Sequence, residues 1–317
     1  MITILGAGVA GLCTATALAE RGRALRVLDP GSEGTGASWL AGGMLAPDVE
    51  SDGAPAEVAR LGATAADWWA ARVQGVQRRG TLVVAPPRDG AELDRLALRT
   101  RGHQRLGPEG IAALEPDLAG RFPAALFYPN EAHLDPRAAL RALAEGLRNR
   151  GVEIRHDAPL PEGDVIDCRG IGARDALPGL RAVRGEMMML RCPDLRLTRP
   201  LRLLHPRFPV YLVPRGQGLY MLGATMIESD ATGPITLRSS MELMAAAFAL
   251  HPALAEAAII ETGSGLRPAW PDNLPRVSRA DGRLHLNGLY RHGFLTAPAL
   301  AEQLADTLTA PEPAHAP

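Results

Sequence analysis

A glycine-rich turn near the start of the printed sequence constrains the fold more than any other feature. Gly6, Gly8 and Gly11 follow a β-branched run at residues 2–5 and precede an alanine-rich segment, residues 12–20, that predicts a helix. A GxGxxG pattern in this position is typical of a βαβ unit that binds a dinucleotide, because it brings backbone amides and a helix N-terminus close to a pyrophosphate. The three glycines serve the tight turn, the approach of the ligand and the packing of helix on strand.

The second strand predicted in this unit, residues 24–28, ends at Asp29. A carboxylate in this position can accept hydrogen bonds from the ribose of an adenosine. Pro30 and Gly31 follow, so no arginine is at hand for a 2′-phosphate, and NADP is the least favoured ligand. The motif alone does not distinguish FAD from NAD.

Composition and charge exclude several classes of protein. With a formal charge of -1 over 317 residues, neither nucleic acid nor an anionic membrane is an expected partner. The sequence contains no lysine, which excludes a pyridoxal-phosphate Schiff base and a P-loop. Cys13, Cys168 and Cys192 are far apart, so we expect no disulfide framework and no metal site. No apolar run reaches the roughly 20 residues of a membrane helix, and no signal-like segment is visible, so we expect a cytoplasmic protein.

Further elements follow from hydrophobic period and turn residues. Residues 30–55 are rich in small residues and predict a long loop lying against a ligand. We expect Asp135 to cap a helix that starts at Pro136, and residues 215–218 to form a hairpin turn. We expect Thr296 to cap the last helix. The other predicted helices are 57–74, 91–105 and 296–308, and the other predicted strands are 81–85, 152–155, 164–167, 183–190, 210–214, 219–224 and 284–287.

These elements predict an α/β protein with two domains. The first is a Rossmann-type dinucleotide-binding domain, and the second is an α+β substrate domain built on an antiparallel sheet. We assign residues 1–55, 130–182 and 263–310 to the dinucleotide-binding domain. Residues 56–129 and 183–262 form the predicted substrate domain, and residues 311–317 a disordered tail.

Six segments in a fixed order carry a resemblance to a known family. They are GAGVAG, ASWLAGGMLAP, AVRGEMMML, VYLVPRGQGLYMLGATM, SGLRPAWPDNLPRV and GLYRHGFLTAP. With these segments the chain resembles the D-amino-acid oxidase superfamily, and within it the glycine oxidases of thiamine biosynthesis. The resemblance covers nearly the whole length. It implies that the dinucleotide-binding domain is a Rossmann-type FAD-binding domain of the glutathione-reductase or D-amino-acid oxidase kind.

The resemblance implies where the substrate binds. The arginine of the GLRP segment, Arg267, would hold the substrate carboxylate, which suits a guanidinium because it can donate two parallel hydrogen bonds. Tyr211 would assist with its hydroxyl, and Arg291 and Met226 would line the substrate side of the flavin. Without the resemblance, the residues alone would favour a salt bridge within the sheet for Arg267 and a half-buried strand aromatic for Tyr211.

The resemblance also implies which residues contact the cofactor. They are Gly6, Gly8, Val9, Ala10, Gly11, Asp29, Ala37, Ser38, Gly42, Gly43, Met44, Leu160, Leu289, Tyr290, His292, Gly293, Phe294 and Leu295. Branches of the superfamily with a covalent flavin use a cysteine close to the C-terminal turn, but the last cysteine here is Cys192. We therefore expect FAD that is bound without a covalent bond.

Two departures from the family bear on the substrate. Relatives often have a polar residue two places before the tyrosine, where this chain has Pro209. Sarcosine-oxidase relatives place a lysine over the flavin, whereas this chain has no lysine and offers Met226 nearby. The polarity of one pocket wall, and with it the choice of amino acid, is therefore left open.

The implied reaction is oxidative deamination of glycine or a similarly small amino acid. Hydride would pass from Cα to flavin N5 without an acid or base side chain, giving an imine that hydrolyses to glyoxylate and ammonia, and oxygen would be reduced to hydrogen peroxide. The product would serve the thiazole branch of thiamine biosynthesis, with a thiazole-forming enzyme as partner. The sequence leaves open a D-amino-acid or sarcosine-type enzyme, an NAD-dependent dehydrogenase, a flavin-binding interaction module without turnover, and whether the chain forms a homo-oligomer.

Overall fold

The computed structural model of the protein describes residues 1–31, 36–156, 163–205 and 209–309. Its strands are β1 (Ile2–Leu5), β2 (Leu25–Leu28), β3 (Met44–Leu45), β4 (Thr81–Val84), β5 (Gln104–Leu106), β6 (Ala125–Tyr128), β7 (Ala132–His133), β8 (Glu153–Arg155), β9 (Asp164–Asp167), β10 (Arg181–Arg191), β11 (Leu201–Leu203), β12 (Val210–Gly216), β13 (Leu219–Gly223), β14 (Ile227–Glu228), β15 (Ala258–Ala269), β16 (Arg276–Ala280) and β17 (Arg283–Asn287).

The helices of the same residues include four short 3-10 turns. The α-helices are α1 (Val9–Glu20), α2 (Pro47–Glu50), α3 (Ala56–Gly62), α4 (Ala65–Ala70), α5 (Gly90–Arg99), α6 (Pro108–Leu114), α7 (Pro136–Asn149), α8 (Leu237–Leu250) and α9 (Gly293–Thr309). The 3-10 turns are Pro87–Asp89, Pro116–Leu118, Gly170–Asp175 and Pro252–Glu256.

The first sheet contains the glycine-rich turn. Its six strands run in the order β16-β17-β9-β1-β2-β8, all parallel except for the antiparallel pair of β16 and β17. Helices α7 and α9 both pack on α1, and the core between helices and sheet contains Ile4, Leu18, Val27 and Leu143. A parallel sheet entered through a βαβ unit confirms the predicted Rossmann-type domain.

Gly6 and Gly11 explain why the first turn has this sequence. Gly6 has a φ of +97°, which side-chain-bearing residues rarely adopt, and a Cβ at Gly11 would lie 1.8 Å from the carbonyl oxygen of Gly6. Helix α1 can begin this close to β1 only because both positions lack a side chain.

The second sheet has nine strands. Eight run in the order β14-β10-β13-β12-β11-β4-β6-β5, and β15 pairs with the other edge of β10 over its length. All neighbours are antiparallel except β4 and β11. The predicted hairpin joins β12 to β13, and its turn residues Gln217 and Gly218 have φ values of 51° and 70°. This sheet confirms the predicted antiparallel second domain.

Several predicted elements differ from the structure. The predicted loop 30–55 contains β3 and α2, and the predicted helix 57–74 is two short helices, α3 and α4. Their junction at Gly62 lies against α9, since a Cβ there would lie 2.5 Å from Leu295. The predicted helix 91–105 ends at Arg99, where the Thr100 hydroxyl donates to the Leu96 carbonyl and contacts the Tyr128 hydroxyl. The chain then turns back into β5.

The caps predicted for two helices have different outcomes. Asp135 caps α7 as predicted, accepting hydrogen bonds from the amides of Arg137 and Ala138. Thr296 does not cap the last helix, because α9 already begins at Gly293 and the Thr296 hydroxyl donates to the His292 carbonyl within the first turn. The prediction of that cap was wrong.

The sequence analysis missed α8 and β15. In addition, the boundary predicted at residue 263 falls inside β15, and the helices α3 and α4, predicted to belong to the substrate domain, pack on α9. The predicted tail 311–317 and Leu160 lie outside the described residues. Within the described part of the chain, no helix is both long and apolar enough to cross a bilayer.

Candidate functional site

A cavity of about 830 Å³ runs between the two sheets and opens at both domains. One end is lined by the glycine-rich turn and Asp29, and the other by side chains of the nine-stranded sheet, Tyr211 and Arg267 among them. All predicted site residues that the structure describes line this cavity except Gly11, which packs α1 on β1. Leu160 lies outside the described residues.

The end near Asp29 is built mainly from backbone. The Asp29 carboxylate accepts hydrogen bonds from the amides of Ala7 (2.5 Å) and Gly31 (2.9 Å). The Val9 amide donates to the Ser38 hydroxyl at 3.1 Å, while the next amides, of Ala10 and Gly11, donate to no other described residue. No acidic side chain lies in the first turn of α1, so its positive end is open to an anion.

The middle of the cavity is lined by the small-residue segment that includes Gly42, Gly43 and Met44. Gly43 has a φ of +71°, and a Cβ there would lie 2.2 Å from the Leu134 carbonyl oxygen. Arg215 fixes this segment by donating to the Gly42 carbonyl at 2.9 Å. The sequence predicts only a hairpin turn at Arg215 and does not indicate this contact.

The C-terminal turn brings a second set of backbone amides to the cavity. The Tyr290 amide donates to the Pro268 carbonyl at 2.8 Å, which ties the turn to β15. The amides of Gly293 and Phe294, at the start of α9, donate to no described residue. The Phe294 carbonyl accepts from the Trp69 indole at 2.8 Å, and this bond holds the turn against α4.

Arg267 lies on β15 at the opposite end from Asp29. Its Nη1 donates to the Thr225 carbonyl at 2.9 Å, and no carboxylate of the described residues pairs with it. Burial lowers the pKa of Arg267 to about 10, with Tyr290 raising it and Arg291 lowering it, so the guanidinium stays protonated at neutral pH. The Arg267 guanidinium lies over Gly185 of β10, two positions beyond its register partner Val183, and a Cβ at Gly185 would lie 2.2 Å from Arg267 Nη2.

Glu50, at the end of α2, is a site residue that the sequence analysis missed. It is 6% exposed, and it accepts a hydrogen bond from the Tyr211 hydroxyl. Its Oε2 lies 3.4 Å from Arg291 Nε and 3.3 Å from His292 Nδ1. Burial acts to raise the pKa of Glu50, but Arg291, His292 and Arg202 outweigh it and lower the pKa, so the carboxylate is ionised.

The same contacts fix the states of the neighbours of Glu50. Burial and the Glu50 charge raise the pKa of Tyr211, so its hydroxyl stays protonated and donates a hydrogen bond to Glu50. Burial lowers the pKa of His292 although Glu50 acts to raise it, so the imidazole is neutral at neutral pH. No described His at this end is therefore poised as a charged acid. The only signal for Glu50 in the sequence was an acidic residue within the small-residue loop.

Met226 lies at the mouth of the cavity and is 46% exposed. Its sulfur lies 3.5 Å from the Tyr290 hydroxyl and 3.9 Å from Arg291 Nη1. Pro209 also lines the cavity. Among the residues that the structure describes, no group of three or more His, Cys, Asp or Glu side chains could hold a metal ion.

These features fit the predicted ligand, FAD. The cavity has the N-terminus of α1, which can bind a phosphate, at one end, and at the other a polar chamber lined by Tyr211, Arg267 and Arg291. Gly8 has no side chain to cover the helix end, and a Cβ at Gly8 would lie 3.2 Å from the Ser38 hydroxyl. The free amides of Gly293 and Phe294 offer donors to the carbonyl side of an isoalloxazine ring. Gly6, Gly8, Asp29 and Ser38 would hold the nucleotide.

Comparison with known proteins agrees with this fit. Residues 1–307 match the DAO family, described as FAD dependent oxidoreductase. A Rhizobium etli protein named as a thiamine biosynthesis oxidoreductase, ThiO, is 54% identical over 97% of this chain and 96% of its own length. A glycine oxidase of Bacillus licheniformis is 28% identical over 96% of this chain and 92% of its own. The crystal structure of glycine oxidase from Geobacillus kaustophilus superposes with a TM-score of 0.85, at 23% identity, over 99% of this chain and 95% of that one. The chain therefore belongs to the DAO family of FAD-dependent oxidoreductases.

Proposed function

We propose that this enzyme oxidises glycine, or a similarly small amino acid, with FAD as the acceptor of the hydride. The observation that carries the proposal is Arg267, a protonated guanidinium in a chamber at one end of the cavity, without a carboxylate partner among the described residues. A buried guanidinium without an anion is costly, and a substrate carboxylate would supply that anion. The names of the Rhizobium and Bacillus relatives point to the same chemistry.

In this proposal Arg267 binds the substrate carboxylate, and Arg291, Tyr211 and Met226 form the other walls of the chamber. The Tyr211 hydroxyl donates its hydrogen bond to Glu50. Toward a substrate its oxygen therefore acts as a hydrogen-bond acceptor, suited to the N–H of an amine. Bound FAD supplies the two-electron acceptor that no side chain can provide. The protein contributes orientation and exclusion of water, since no described acid or base is needed at Cα.

The small size of the substrate follows from the crowding around Arg267. Met226 and Tyr290 contact each other over the chamber, and Arg291 and Glu50 occupy one side of it. In this proposal a substrate side chain larger than a methyl group would compete with these groups for space. Glycine, sarcosine and D-alanine are therefore the preferred candidates, and D-proline tests the upper limit of size.

An absorption experiment tests the proposal. Purified protein should show the visible bands of oxidised flavin, and anaerobic addition of glycine should bleach them. With air present, glycine should yield hydrogen peroxide. A yellow protein that none of glycine, sarcosine, D-alanine and D-proline bleaches would contradict the proposed substrate class, and bleaching by NADH alone would favour a different reaction.

We expect the FAD to be bound without a covalent bond to a cysteine. Cys13, Cys168 and Cys192 are buried and free, and burial raises the pKa of Cys168 to about 12, so none is set up to bond the flavin. Denaturation should therefore release all yellow colour from the polypeptide.

Buried free thiols also suit a reducing, cytoplasmic compartment. The Rhizobium relative's name supports a product used in thiamine biosynthesis, with a thiazole-forming enzyme as the partner.

A further inference from the structure

The chamber at the substrate end is lined by three arginines that differ in their partners. Arg291 lies 3.4 Å from the Glu50 carboxylate, and Arg202 donates to Asp52 at 2.9 Å. Arg267 has no carboxylate partner among the described residues. Of these three cations, therefore, two are already neutralised by the protein itself.

The pairing of Arg291 with Glu50 is fixed on several sides. Glu50 also accepts the hydroxyl of Tyr211, and His292 lies 3.3 Å away. Arg291 Nη2 in addition donates to the Asp52 carbonyl at 3.3 Å. Arg202 donates to the Val49 carbonyl at 2.9 Å, so both arginines are bound to the segment that carries Glu50 and Asp52.

We propose that Glu50 is a specificity-determining residue that restricts this site to substrates with a single carboxylate. The inference rests on the proposed function, because it concerns which amino acids enter the same chamber. A substrate bound through one carboxylate to Arg267 would place a second carboxylate toward Arg291. There it would find the guanidinium engaged and would face the negative charge of Glu50, with that of Asp52 close behind.

The charge of Glu50, more than its size, produces this exclusion. A second carboxylate beside Glu50 would be repelled by a like charge, and Arg291 together with its partner Glu50 offers it no net positive charge. Glutamine has nearly the same shape, and its amide oxygen can still accept the hydrogen bond from the Tyr211 hydroxyl. Glu50→Gln therefore leaves Arg291 as a second free cation, able to bind a second carboxylate.

Two pairs of probes measure the exclusion. Acetate and malonate carry one and two carboxylates, and their dissociation constants follow from the change that each produces in the flavin spectrum of the holoenzyme. Glycine and iminodiacetate are the matching substrates, compared by kcat/KM. Glu50→Asp keeps the charge, and Glu57→Gln removes a partly exposed carboxylate of α3 that pairs with Arg60.

In the wild type, malonate should bind no more tightly than acetate. Glu50→Gln should raise the affinity for malonate relative to acetate by at least about tenfold, and kcat/KM for iminodiacetate relative to glycine in the same direction. Glu50→Asp and Glu57→Gln should stay within about threefold of the wild-type ratios. A Glu50→Gln holoenzyme with unchanged ratios overturns the proposal.

The measurements remain decisive if one of them fails. Should Glu50→Gln not retain FAD, the wild type alone decides, because malonate binding about tenfold more tightly than acetate there would overturn the proposal. Should the wild type not oxidise glycine, the proposed function fails, while a shift of the malonate-to-acetate ratio in Glu50→Gln would still support the role of Glu50. The two ideas are therefore tested separately.

Discussion

The two ends of the cavity are built from different parts of the chain and by different chemistry. The end near Asp29 consists largely of backbone amides and glycines within the first strand and helix. The other end consists of charged side chains from segments far apart in sequence, with Arg291 and Asp52 separated by 239 positions. The first end is recognisable in a short motif, whereas the second exists only when both sheets and their connections are in place.

This contrast predicts that the nucleotide end is intolerant of added atoms. Gly11→Ala places a methyl group 1.8 Å from the Gly6 carbonyl oxygen, so α1 must move away from β1. We expect a loss of about 3 kcal/mol in the free energy of unfolding and a protein purified without FAD. Thermal unfolding and the flavin absorption of the purified variant measure these effects.

Gly146→Ala, in the middle of α7, is the matched control. A Cβ there meets no other atom within 4 Å, and alanine favours a helix by about 1 kcal/mol over glycine, so this variant should be as stable as the wild type or more so. If Gly11→Ala behaved like Gly146→Ala and kept its FAD, the nucleotide end would not depend on the close packing of its backbone.

At the substrate end, we expect side-chain changes to affect binding of the substrate and not of the cofactor. Arg267→Ala removes the cation that would hold the carboxylate, and KM for glycine should rise by about 10- to 100-fold, since charge-assisted hydrogen bonds contribute about 1.5–3 kcal/mol. Steady-state kinetics with glycine and the flavin content of the variant check this. Arg60→Ala, which removes an exposed arginine of α3, should leave both unchanged. A normal KM in Arg267→Ala would remove Arg267 from the substrate site.

The third expected effect concerns the pH dependence of stability. Glu131 is 1% exposed, and its Oε1 accepts the Val49 amide of α2 at 2.7 Å. Burial raises the pKa of Glu131 to about 8 from an ordinary value of 4.5, with Asp48 and Glu50 adding to the shift. The folded protein therefore holds this proton up to about pH 8, whereas the unfolded chain releases it near pH 4.5.

Because the folded state binds the extra proton, the stability that Glu131 contributes is full below pH 4.5 and is lost as the pH rises to about 8. Glu131→Gln removes this dependence, so the decrease in the free energy of unfolding between pH 5 and 8 should be smaller by on the order of 3 kcal/mol. Urea unfolding at both pH values measures it. Glu57→Gln should keep the wild-type slope, and an equal slope in Glu131→Gln would show that Glu131 is ionised in the folded protein.

The same contrast explains what could be predicted from the sequence. The strand, turn and helix around Gly6 and Gly11 follow from local backbone requirements, and both sheets were expected in their correct classes. Arg267, Tyr211 and Arg291 were identified only through resemblance, because the residues alone suited salt bridges or strand packing. Glu50 was missed, since its partners come from β12 and the C-terminal turn, and no local pattern in a small-residue segment indicates such contacts.

Errors at element boundaries have a similar origin. Helix α9 begins at Gly293 and not at Thr296; the turn before it is bound to β15 through Tyr290, and Phe294 in its first turn is bound to α4 through Trp69. The predicted helix 57–74 is interrupted where Gly62 meets Leu295 of α9. At both boundaries the chain contacts a distant segment, which a local sequence pattern does not reveal.

Gly185 gives the position of the Arg267 guanidinium an unexpected origin. The two residues lie on neighbouring strands, and the guanidinium fills the volume that any side chain at position 185 would need. A larger residue there would push the guanidinium of Arg267 toward the cavity. The depth of this end of the cavity therefore depends on a residue that lies behind Arg267 and has no side chain of its own.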